Sequence, residues 1–452
     1  MALRRNLLPA ATIVSAFSGG LPATAQTAPQ SSSAPTNLWT RSNLLGDVGG
    51  LRTILGNYGI TLGLTDSENL LGNLTGGVKQ GSTMQGVTTA TLDVDLGKAV
   101  GLQGGAFHAS ALQIHGQPLS PAYLDDLQTA NGNEAENTTR LWELWYDQQF
   151  FKNSFDVKIG QQSIDNEFLI STGSSLFVNT AAGWPLLPSS DLYGGGPAYP
   201  LSSLGVRLRG TPANNVTVLA GVFDDNPGGG AFEDDAQKLD VSGTRFNLNT
   251  GALFIAEVQY ATKLRGLPGT YKLGGWYDTG FFPDQLLGTD GLPLSAPDSN
   301  GNPIMHKGNY SLYGVVDQTV WQSAADTSRT LNVFARIMGA PTNQNLINFA
   351  FNGGVTVTAP LPGRDNDQAG IDFGLGQVSS RAASLDRAAG MPPRGTEELI
   401  ELTYQAQITP WLQVQPDVQY IVNPGAGIPN PDNPAENLHN ELVAGVRTVI
   451  AF

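Results

Sequence analysis

Asn440-Glu-Leu-Val-Ala-Gly-Val-Arg-Thr-Val-Ile-Ala-Phe452 closes the chain, and its side chains alternate. Leu442, Ala444, Val446, Thr448, Ile450 and Phe452 fall on one face. Val443, Gly445, Arg447 and Val449 fall on the other. A period of two is the signature of a strand. Outer-membrane β-barrels usually end in such a strand, on an aromatic residue and with no tail, whereas a soluble domain would do so by accident.

The other end of the chain agrees. Arg4 and Arg5 precede an apolar stretch from Leu7 to Phe17, and Ala23-Thr-Ala25 offers a small-residue cleavage site. That pattern is a secretory signal over residues 1–25. The apolar stretch is too short to cross about 30 Å of hydrocarbon and contains Pro9.

Composition then limits what an exported chain of 452 residues can be. Cysteine is absent, which excludes disulfides, thiolate metal sites and thiol nucleophiles. With 55 Gly, 28 Pro and charged residues at only 14%, the chain suits many strands joined by turns. No later run of about twenty apolar residues provides a membrane helix. A net charge of −15 argues against nucleic acid, which calls for a basic face.

Residues 26–43 read as a flexible leader. Leu44, Val48, Leu51 and Leu55 then stand at helical spacing, which predicts a short periplasmic helix over 44–58. From residue 59 to the end about sixteen stretches alternate with period two, among them Ile60–Leu70, Phe155–Gln162, Leu204–Arg209, Val216–Phe223 and Leu412–Val422. Their connections alternate as well. Phe151–Ser154, Gly210–Asn215 and Thr409–Trp411 are short, whereas Gly116–Arg140, Ser163–Ser203 and Asp224–Thr250 are long. Short periplasmic turns and long outer loops mark a transmembrane antiparallel barrel. The fold class is therefore all-β, with a lumen wide enough for an aqueous channel.

Several stretches resemble the OprB-type carbohydrate-selective porins. They are Asn43–Asp47, Gly49–Arg52, Glu68-Asn69, Leu204–Arg209, Ala220–Asp224, Gly274–Asp278, Glu401–Tyr404, Pro410-Trp411 and Gln415–Tyr420. Val48 departs from the family's usual Trp. The resemblance implies a sixteen-stranded outer-membrane barrel of a Gram-negative envelope that lets glucose-like monosaccharides diffuse into the periplasm. A general or ion-preferring porin is the alternative.

A sugar channel needs donors and acceptors around a constriction, and its binding must be weak enough for solute to leave. Arg207 and Arg209 alternate with Leu204, Val206 and Leu208, so both are expected to face the lumen. A charge facing lipid costs about 2–4 kcal/mol near the midplane. The same phase argument nominates Arg336 and the more peripheral Arg447, with Glu143, Glu257 and Glu401 as anionic partners. Each is expected either to line the constriction or to stiffen the wall as an ion pair. Ser163–Ser203 is expected to fold inward, carrying Trp184, which could stack on sugar or pack the loop onto the wall.

No metal or cofactor motif appears among His108, His115, His306 and His439. The acids of Phe232-Glu-Asp-Asp235 are a weak cation candidate, and His108 with Ser110 lacks an orienting third group for catalysis. The partners expected are small sugars and outer-membrane lipid, with a homo-oligomer open, and no catalytic residue is assigned.

Overall fold

The computed structural model describes residues 37–452, so the predicted signal at 1–25 and most of the leader lie outside the described residues. Sixteen antiparallel strands close into one barrel. They are β1 Ile60–Thr75, β2 Gly81–Asp95, β3 Gly105–Gly116, β4 Thr138–Phe150, β5 Phe155–Gln162, β6 Ser203–Ala213, β7 Val216–Asp224 and β8 Ala252–Leu264. The second half is β9 Leu267–Gly288, β10 Pro303–Gln322, β11 Thr330–Gly339, β12 Ile347–Thr358, β13 Gln368–Val378, β14 Thr396–Thr409, β15 Leu412–Val422 and β16 Glu441–Ala451. A small hairpin, Pro429–Asn430 with Asn433–Asn437, stands apart.

Closure follows from the solvent. Hydrocarbon offers no partner to an unpaired backbone group, so a spanning sheet must have no edge. The seam joins β1 to β16 from Thr65↔Ala451 to Leu70↔Val446 without a register shift. The helix is shorter than expected, running from Leu51 to Asn57. Val48, Gly49 and Gly50 all have positive φ, and this left-handed stretch cannot continue an α-helix. Arg52 on the helix donates to the Leu62 carbonyl at 3.2 Å and to that of Phe452, bracing the seam.

Outward positions are apolar around most of the circumference, with Phe254, Val258, Leu273, Leu312, Ile371 and Leu402 exposed. One sector on β1–β3 differs. Glu68 meets His115 at 2.6 Å, and Thr88 donates to Asp66 at 2.6 Å. The Glu68 carboxylate lies where a Cβ on Gly86 would be, 2.4 Å away, so glycine there makes room for the pair. Mutual pairing offsets part of the cost of holding these groups on the outer face.

The lumen differs from a simple polar lining. Segments 117–137 and 163–202 both fold inward. Leu169, Trp184, Leu187 and Leu192 pack on Leu219, Leu253, Trp276 and Tyr313 of the wall. Leu119, Leu124 and Ala130 pack with Val178 on Leu399, Ile421 and Val443. Apolar residues in the inward phase are thereby removed from water, at about 25 cal/mol per Å².

Candidate functional site

The wall from β2 to β6 carries a ladder of charges beside the inward loop. Alternation sends Asp156 and Lys158 of β5, and Arg207 and Arg209 of β6, into the lumen. The strands pair Asp156↔Arg209 and Lys158↔Arg207. Arg207 is buried between Asp156 and Glu167, its Nε standing 2.6 Å from a Glu167 oxygen. Lys158 also pairs with Glu167, and its Nζ lies 4.3 Å from the centre of the Trp145 ring. That indole also stacks on His108 at 4.8 Å, and His108 reaches Asp93 at 2.7 Å. At the ends of the ladder, the side chains of Arg209 and Asp93 are 42% and 51% exposed. These two therefore meet lumen water most directly.

The other nominated residues grip the loop. Arg336 is buried and donates to the carbonyls of Leu169 and Gly183, at 3.3 and 2.8 Å, and to that of Ala181. Glu257 accepts from the Leu169 N–H and the Tyr313 hydroxyl, both at 3.0 Å. Glu401 accepts from the Val178 and Asn179 N–H groups at 2.5 and 3.1 Å. Glu143 accepts from the Ser163 N–H and the Asn166 amide, both at 3.1 Å. Arg447 bonds Asn69 at 2.9 Å and the Val178 carbonyl at 3.3 Å. Trp184 is buried and donates to the Gly195 carbonyl at 2.8 Å, packing the loop onto itself. Within the loop, burial pushes the Asp165 carboxyl up to about 6, against bonds from Ser163 and Tyr199 that favour its charged form.

Sequence reasoning passed over three features. Lys158 shares the inward phase of β5 with Asp156, so its alternation was available. The inward fold of 117–137 gave no local sign, although Glu397 of β14 secures it by accepting from the Leu127 and Gln128 N–H groups at 2.8 Å. The Asp93–His108–Trp145 stack joins three strands and needs the register. The His108 ring meets Asp93 at 2.7 Å, and the Ser110 hydroxyl accepts from the Glu143 N–H at 3.1 Å. Among the described residues no group of three His, Cys, Asp or Glu is arranged to hold a metal. Asp235 instead caps a short helix and pairs with Lys238 at 2.9 Å.

A closed sixteen-stranded barrel with an apolar belt and a charged, loop-narrowed interior is a porin of the outer membrane. The family model described as "Carbohydrate-selective porin, OprB family" matches residues 79–452. The chain belongs to this family and is a sugar-selective outer-membrane channel. It is 28% identical to Porin B of Pseudomonas aeruginosa, covering 93% of this chain and 92% of that protein. It is 24% identical to a putative porin QuiX of Acinetobacter baylyi, over 88% and 92% respectively. The high-pH structure of Pseudomonas putida OprB superimposes with a TM-score of 0.82 at 23% identity, covering 92% of this chain and all of that one.

Proposed function

We propose that sugars of monosaccharide size diffuse passively along the charged strip of β2–β6, meeting Arg209 and Asp93 as its accessible donor and acceptor. The observation that carries this reading is the contrast in exposure. These two side chains stand open to the lumen, while Arg207, Arg336, Glu143, Glu257, Glu401 and Trp184 are buried against the loop or its neighbours. A guanidinium and a carboxylate together suit hydroxyl groups, which both donate and accept. Their exposure to water keeps each contact weak, as release on the periplasmic side requires. The buried six act in this reading as anchors that fix the loop and so the width.

Residues 1–25 serve as the export signal and 26–43 as a leader. Transport needs no catalytic residue and no cofactor. Each barrel encloses a whole pathway, so a homo-oligomer would multiply channels without building a new one.

Single-channel current in a planar bilayer tests the reading, titrating glucose, then a disaccharide and an amino acid. Saturable block by glucose that weakens in Arg209→Ala supports it. Open channels indifferent to every sugar would replace it with a general, ion-preferring pore.

A further inference from the structure

Residues 38–58 run along the periplasmic rim and are fastened to it by three hydrogen bonds that use main-chain groups. The Trp411 indole N–H donates to the Leu38 carbonyl at 2.7 Å, the Leu44 N–H to the Ala451 carbonyl at 2.8 Å, and Arg52 to the Leu62 carbonyl at 3.2 Å. These bonds carry the segment past the turn before β15, the end of β16 and the start of β1. Its large apolar side chains stay open. Trp39 is 67% exposed, Ile54 56% and Tyr58 64%, and Leu45, Val48 and Leu51 are exposed as well. Leu51, Ile54 and Tyr58 follow one another at helical spacing and form one stripe, which a helix resting on a soluble domain would turn inward. No residue of the helix Leu51–Asn57 is buried.

Continuity and charge together indicate what covers that stripe. Arg52 reaches the carbonyl of Leu62, and Leu62 and Leu64 are the first outward, exposed residues of β1. The helix therefore stands at the level where the barrel wall begins to meet lipid. The chain carries −15, yet its periplasmic end sets cations beside apolar side chains. Arg41 follows Trp39 by two residues. Lys98 lies against the end of the helix, where a Cβ on Gly59 would stand 2.8 Å from the Lys98 Cβ. The short turns repeat the pattern in Phe151-Lys152 and Lys263-Leu264-Arg265, all of them exposed. Asp47, the acid of the segment, is taken up within it, accepting from the Thr53 N–H and hydroxyl at 2.8 Å. Apolar side chains with cations beside them suit the boundary between acyl chains and anionic headgroups. Trp and Tyr rings sit half in each layer there, and long cationic side chains reach out to phosphate.

We propose that residues 38–58 form an interfacial anchor in the periplasmic leaflet, with Trp39, Ile54 and Tyr58 at the acyl boundary and Arg41 and Lys98 at the headgroups of anionic phospholipid. Its place at the seam gives the anchor a second effect. Strand pairing of β1 with β16 starts at Thr65↔Ala451, so Ile60–Leu64 project below the last pair. The carbonyls of Leu64 and Leu62 are met there by the Phe452 N–H at 2.9 Å and by Arg52. A helix seated in lipid keeps water away from this edge.

The chain contains no cysteine, so a single introduced one reports without background. Nitroxide labels at Ile54→Cys, at Leu402→Cys in the belt and at Asp432→Cys in the outer hairpin are compared in the whole folded protein. The vesicles are phosphatidylcholine alone, or equal parts of phosphatidylcholine and phosphatidylglycerol, and the readout is access to oxygen against access to an aqueous nickel chelate. With phosphatidylglycerol the Ile54 label should lie about 5–10 Å below the phosphates, with high oxygen and low nickel access like the Leu402 label. It should rise toward water when phosphatidylglycerol is left out. Arg41→Gln/Lys98→Gln should lose that dependence on lipid charge, while the mobility difference between heated and unheated samples shows an intact barrel. Nickel access as high as at Asp432 overturns the proposal, because the segment then lies in water. Low access to both reagents overturns it too, by putting a second copy of the chain or the barrel's own wall over the helix. Equal depth in the two lipids overturns the assignment to anionic headgroups.

Discussion

At the scale of single residues, the two arginines of β6 divide the work that their shared phase made equivalent in sequence. Arg207 is locked between Asp156 and Glu167, whereas Arg209 keeps only a 3.9 Å contact to Asp156. Arg207→Ala should cost about 3–5 kcal/mol of stability by leaving a buried carboxylate unpaired, read as a fall in denaturation midpoint. Arg209→Ala should leave that midpoint within about 0.5 kcal/mol and weaken sugar block. Arg336 extends the contrast, since its guanidinium supplies donors to the Leu169, Ala181 and Gly183 carbonyls. Arg336→Met should keep the volume, orphan those carbonyls and free the loop. The checks are faster proteolysis within 163–202 and noisier single-channel current. Strand phase is legible in a sequence because it is local. What an inward side chain touches is not, because the loop that meets Arg336 lies more than a hundred residues away in the chain.

Elements explain why some strand faces looked ambiguous. In β7 the inward residues Leu219 and Phe223 are as apolar as the outward Val218 and Val222, which a water-filled lumen would not favour. The inward loop resolves this by covering them. Sequence placed the Ser163–Ser203 loop inside by its length and position, but 117–137 enters equally, held by Glu397 from a strand still further along the chain. The loop also carries a pH dependence through Asp165, with Glu143 the charged group that faces it. Its folded carboxyl, pushed up to about 6 from an ordinary 3.8, keeps its proton over a range where the unfolded chain has lost it. Stability contributed here therefore falls as pH rises from about 4 to 6 and is flat above, a difference on the order of 3 kcal/mol. Asp165→Asn should melt progressively higher than wild type across that window, measured as paired melting midpoints in detergent. A gap between the two that did not change with pH would contradict the assignment.

The whole molecule adds the one property that no stretch of sequence contains, which is closure. All sixteen alternating stretches found by pattern overlap the strands of the barrel, since each records its own neighbours on lipid and lumen. The pairing of β1 with β16 joins residues almost four hundred positions apart, and only the alternating end at Phe452 hinted at it. That seam is what makes the sheet compatible with hydrocarbon. Removing Glu441–Phe452 would strip ten paired residues from β1 and ten from β15 at once. Each backbone group left bare in the membrane costs several kcal/mol, so the loss runs to tens of kcal/mol and no local repacking offsets it. The truncated chain should therefore give no folded barrel in detergent, seen as loss of the mobility difference between heated and unheated samples on a gel. Excision of the outer hairpin 429–437 should retain that difference, because this hairpin pairs only with itself and leaves every seam of the barrel intact.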